Sequence, residues 1–80
     1  MNILSILIVD DSATQREHAA NLCSEYGVPI VYQANNGLEA LELLALLKLP
    51  PSVIMVDLEM PSMDGIELIQ MLQTRHFLIP

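Results

Sequence analysis

The sequence predicts an α/β protein in which a parallel sheet lies between two layers of helix, and three observations carry that prediction. Short apolar segments of strand length alternate with longer segments of helical periodicity, three times in succession. The strand-like segments are nearly continuous apolar runs, the pattern of strands covered on both faces. Two of them end abruptly on aspartate, at Asp10 and Asp57.

The first strand is read over Ile3, Leu4, Ile6, Leu7, Ile8 and Val9. Ser12 then offers an N-cap with Gln15 three residues later, and Ala19, Leu22, Cys23 and Tyr26 fall at i, i+3, i+4 and i+7, which predicts a buried stripe on a first helix. Gly27 is placed to stop that helix. Ile30 to Ala34 is a second strand, Asn35, Asn36 and Gly37 form a turn, and Leu38 to about Leu49 is a second helix closed by Pro50 and Pro51. Val53 to Val56 reads as a third buried strand ending at Asp57. Met60 to Gly65 is a loop stiffened by Pro61, after which Gly65, Leu68, Ile69 and Leu72 share the face of a third helix.

Parallel strands joined through helices need right-handed crossovers, and in such sheets the ligand site lies beyond the carboxyl ends of the strands, where the strand order reverses. Asp10, Asp11 and Asp57 sit at those ends. If the first and third strands are neighbours, these carboxylates lie within several ångströms of one another, and unit charges ~4 Å apart repel by roughly 4 kcal/mol at an effective dielectric near 20. A hard divalent cation relieves that repulsion, and Mg²⁺ favours a few carboxylate or carbonyl oxygens completed by water.

Composition narrows the function. A net charge of −7, with Arg16, Lys48 and Arg75 the only strong cations, argues against direct contact with nucleic acid or anionic lipid, both of which need clustered positive charge. Met1 to Val9 lacks the basic flank of a signal peptide and runs into two aspartates, and Leu38 to Leu49 is too short and too charged to cross a bilayer. Cys23 is the single cysteine, so no internal disulfide forms and a reducing cytoplasm is the expected compartment. His18 and His76 lack partners at ligand spacing and read as surface residues, and the methionines read as packing. A composition that is 52% hydrophobic, with mean hydropathy +0.45, exceeds what 80 residues need for a free-standing soluble domain, so part of that surface is expected to meet something else.

The stretches ILIVDDS, ANNGLEAL and VDLEMPSMDGIELI together resemble the receiver domain of bacterial response regulators, over essentially the whole chain. The resemblance implies a flavodoxin-like receiver fold, three-layered, with strand order 2-1-3 for the strands present. It also implies that Asp57 is the phosphoacceptor, that Asp11 ligates Mg²⁺ directly and Asp10 mostly through water, and that the backbone carbonyl of Glu59 is a further metal contact. The Glu59 side chain occupies a position that in this family tunes the life of the acyl phosphate. The implied partners are a sensor histidine kinase or phosphotransfer protein as donor and an output domain or downstream protein as receiver of the signal. Such a domain is a signalling module and not an enzyme.

A complete receiver has five strands, and residues 1–80 match only strands one to three and helices one to three. The Thr or Ser after strand four, the aromatic on strand five and the Lys after strand five have no counterpart here, since Lys48 falls at the far end of the second helix. Strand three is then the open edge, and a homodimer or strand swap is expected to cover it. Leu46 and Leu49 fall where the polar stripe of Glu39 and Glu42 should continue, which marks that end of the helix for contact with another subunit or domain. The alternative function is a receiver-derived dimerisation or docking module that does not switch; a third, a Mg²⁺-dependent phosphohydrolase, lacks a visible general acid.

Overall fold

The computed structural model describes residues 3–57 and Gln70. In chain order these residues form β1 (Ser5–Val9), α1 (Ala13–Glu25), β2 (Ile30–Ala34), α2 (Gly37–Leu46) and β3 (Val53–Val56). The three strands make one parallel sheet in the order β2-β1-β3, as expected. The third helix expected from Gly65 lies outside the described residues, as does the loop from Met60.

Strand alternation sorts the side chains to two faces. Leu7 stands opposite Tyr32 and Ile54, and Val9 opposite Ala34 and Val56. On that face α2 packs Ala40, Leu41 and Leu44 against Leu7, Val9 and Ala34, which forms the main core. The other face carries Ile6, Ile8, Val31, Gln33, Val53 and Met55, and α1 lies over its β2 side, where Arg16 bonds Gln33. β1 is therefore covered on both faces, and Leu7, Ile8 and Val9 are buried.

β3 departs from its expected burial. Its residues alternate, with Ile54 and Val56 turned toward the α2 core and Val53 and Met55 exposed. The register is pinned at both ends of the β1–β3 pair. Ser5 and Ser52 exchange backbone-to-hydroxyl bonds at 3.1 and 3.3 Å and the Ser52 N–H reaches the Ser5 carbonyl at 2.9 Å. At the other end the Asp57 N–H donates to the Val9 carbonyl at 2.8 Å.

The helix caps follow from short polar side chains. Ser12 Oγ accepts the Gln15 N–H at 3.3 Å and opens α1, as the spacing predicts. α1 closes at Gly27, whose φ of 91° lies in the left-handed region, with the Gly27 N–H on the Ser24 carbonyl and the Val28 N–H on the Cys23 carbonyl. The expected stripe on α1 is corrected: Ala20 is its buried residue, Leu22 is 40% exposed and Tyr26 87% exposed. α2 begins one residue before expectation and ends three residues earlier, at Leu46. Leu49 precedes a proline, which disfavours helical backbone there, and Pro50 and Pro51 lack the N–H groups that would bond the carbonyls four residues back.

Candidate functional site

Asp10 and Asp57 each follow directly from a strand end, and the ladder of the sheet carries on by one residue to hold them. The Asp10 N–H donates to the Ala34 carbonyl at 3.1 Å, on the β2 side, while Asp57 is bonded through its own N–H to β1. Because β1 and β3 are neighbours in register, the carboxyl groups that follow them converge. One carboxylate oxygen from each of Asp10, Asp11 and Asp57 lies within 4.8 Å of the others. Asp10 and Asp57 are half-buried and Asp11 is exposed.

The loop between β1 and α1 is itself built from local bonds. Asp10 Oδ1 accepts the Ser12 N–H at 2.9 Å, an Asx turn that turns the chain out of the strand and into the cap of α1. Arg16, one turn into α1, reaches back: its Nη1 donates to the Asp10 backbone carbonyl at 2.7 Å and to Asn35 Oδ1 at 3.4 Å, and its Nε donates to Gln33 Oε1 at 3.2 Å. Asn36 Oδ1 caps α2 by accepting the Glu39 N–H at 2.9 Å, and Glu39 Oε1 accepts the Asn35 N–H at 3.3 Å. The loops after β1 and β2 thus form one bonded unit beside the acidic cluster.

The sequence-predicted residues Asp10, Asp11 and Asp57 are brought together; Glu59 lies outside the described residues. Sequence reasoning passed over Arg16 except as a count of charge, and read Asn36 as a turn and Glu39 as a solvated helix face. The signal for the second pair was present, an Asn followed three residues later by Glu at a helix start. No such signal exists for Arg16, whose acceptors are a carbonyl and two amides from three different segments. An all-carboxylate donor set without Cys or His suits a hard, oxygen-seeking cation such as Mg²⁺.

A family model for the response regulator receiver domain matches residues 6–80. The chain belongs to this family. Among curated relatives, a protein-glutamate methylesterase/protein-glutamine glutaminase of Geobacillus kaustophilus is 39% identical over 77 residues, which cover 95% of this chain and 22% of that protein. The receiver domain of a signal transduction histidine kinase from Syntrophus aciditrophicus superposes with a TM-score of 0.79 at 40% identity, covering 88% of this chain and 51% of that one. The receiver domain of a histidine kinase from Arabidopsis thaliana, solved with Mg²⁺ and BeF₃⁻, gives a TM-score of 0.79 at 29% identity over 96% of this chain and 62% of that one. The chain is thus a receiver domain of two-component signalling with a flavodoxin-like sheet, and it spans about a fifth of the methylesterase it matches.

Proposed function

We propose that Asp57 is a phosphoacceptor that takes its phosphoryl group from a histidine kinase or phosphotransfer protein. The observation that carries this reading is the convergence of three aspartate oxygens within 4.8 Å at the carboxyl ends of β1 and β3. An Asp57 carboxylate oxygen attacks the phosphorus of a phosphohistidine, the P–N bond breaks, its electron pair returns to the imidazole, which takes up a proton, and an acyl phosphate remains on Asp57. Asp10, Asp11, Asp57 and the Glu59 carbonyl would hold Mg²⁺, which when bound offsets the charge between the attacking carboxylate and the phosphoryl oxygens. The Arabidopsis receiver with Mg²⁺ and BeF₃⁻ supports the assignment, since BeF₃⁻ has the shape and charge of a phosphoryl group.

In this reading residues 1–80 are a partial receiver domain, a signalling substrate in the cytoplasm and not a catalyst of turnover. The phosphoryl state is passed to an output domain or downstream protein. Incubation with Mg²⁺ and acetyl phosphate, followed by intact mass, is expected to give an adduct on the wild-type chain that Asp57→Asn and EDTA both abolish. An unmodified wild-type chain, with no Mg²⁺-dependent amide shifts near Asp57, would leave it a docking module without phosphoryl chemistry.

We further propose a homodimer or strand exchange through the β3 edge. Its support is the place of β3 at one side of the described sheet, with Val53 and Met55 exposed.

A further inference from the structure

We propose that Arg16 is the positioning residue for the acidic pair, acting on Asp11 through the backbone of Asp10; the inference rests on the reading of the cluster as a Mg²⁺ site. The Asp10 main chain is held on both sides, its N–H by the Ala34 carbonyl and its C=O by Arg16 Nη1 at 2.7 Å. A peptide unit is planar, so fixing the Asp10 carbonyl also fixes the direction of the Asp11 N–H and the place of the Asp11 Cα. Asp11 is the exposed member of the cluster, while Asp10 and Asp57 are half-buried. The aim of its carboxylate therefore depends on the backbone that Arg16 clamps.

Among the described residues the acceptors of the guanidinium are three neutral oxygens, on Asp10, Gln33 and Asn35, so it works as a brace across segments. Gln33 belongs to β2 and Asn35 to the turn that leads into α2, where the Asn35 N–H donates to Glu39 Oε1 in the first turn of that helix. The planar fork of arginine can meet acceptors in three directions at once, which a lysine ammonium on a flexible stem cannot reproduce. The brace ties the metal-binding loop to the frame of the sheet.

The test is Mg²⁺ affinity, read by titrating the amide shifts of the 80-residue chain. Arg16→Met keeps the apolar stem and removes every donor, and it is expected to weaken Mg²⁺ binding by about 10- to 100-fold, the range for residues that orient ligands without touching the metal. Arg16→Lys keeps the charge and is expected to remain weakened. Asn35→Ala, a milder cut of the same brace, is expected to weaken binding severalfold and serves if Arg16→Met does not fold. Full wild-type affinity in Arg16→Lys would assign the effect to charge and overturn the proposal, as would unchanged affinity in both Arg16→Met and Asn35→Ala. A wild-type chain that shows no Mg²⁺-dependent shifts overturns the metal-site reading itself and this inference with it.

Discussion

Asp10 does two things that pull against each other. Its Oδ1 accepts the Ser12 N–H and so shapes the loop, while its charge lies within 4.8 Å of carboxylate oxygens on Asp11 and Asp57. At that separation each pair of charges repels by about 3–4 kcal/mol at an effective dielectric of about 20, and exposure to solvent and salt reduces this toward ~1 kcal/mol. Asp10→Asn keeps an oxygen for the Ser12 N–H and removes the charge. In EDTA it is expected to be more stable than wild type by about 1 kcal/mol, a rise in Tm of about 4–8 °C for a chain this size. Wild type should gain stability on adding Mg²⁺, because a ligand that binds only the folded state stabilises it by mass action, and the variant should gain little. A lower Tm for Asp10→Asn in EDTA would show that the loop depends on the charge of Asp10 and that repulsion is the smaller effect.

Along α2, the environment of a leucine changes within two residues. Leu44 is 3% exposed and packs in the core with Leu7 and Ala40, while Leu46 is 82% exposed. Leu44→Ala should cost about 2–5 kcal/mol through lost burial and a residual cavity, whereas Leu46→Glu should change stability by less than about 0.5 kcal/mol, both read by urea denaturation. Equal effects would place the α2 register wrongly. The contrast also bears on what the sequence could reveal. A long apolar run identifies β1 because a central strand must be apolar on both faces, and Ser12 announces α1 through a bond made within one turn. The inner face of α1 stays hidden, since two overlapping stripes fit the periodicity and the bulky Leu22 and Tyr26 favour the wrong one. Ala20 is buried, with Arg16, Ala19 and Cys23 half-buried beside it, and these small or charged residues mark the true inner face. The aspartate cluster is legible because strand ends in a parallel sheet share one edge; the brace that holds it is not, because its partners are distant in sequence.

Among the described residues the two faces of the sheet are unequally covered, and that asymmetry argues for a partner. The α2 face encloses Leu7, Val9 and Ala34, but α1 packs on β2 and β1, and the β3 part of its face leaves Val53 36% and Met55 44% exposed. Both lie opposite the isoleucines of β1, Val53 beside the half-buried Ile6 and Met55 beside the buried Ile8, so the exposed patch continues an apolar row across the two strands. A two-fold axis normal to the sheet would pair β3 of one copy with β3 of another in antiparallel fashion, an isologous contact that extends the sheet and closes on itself. It would also direct the Asp57 ends of the two copies away from each other, which matters for chains that each carry a net charge of −7. Light scattering at micromolar concentration is expected to give a dimer that strengthens as added salt screens the remaining repulsion. Met55→Lys should shift it to monomer with little loss of thermal stability, because the side chain is exposed in the single chain. A wild-type chain that is monomeric at these concentrations and melts in one cooperative transition would overturn the dimer, and would mean that the single chain tolerates the exposure of Val53 and Met55.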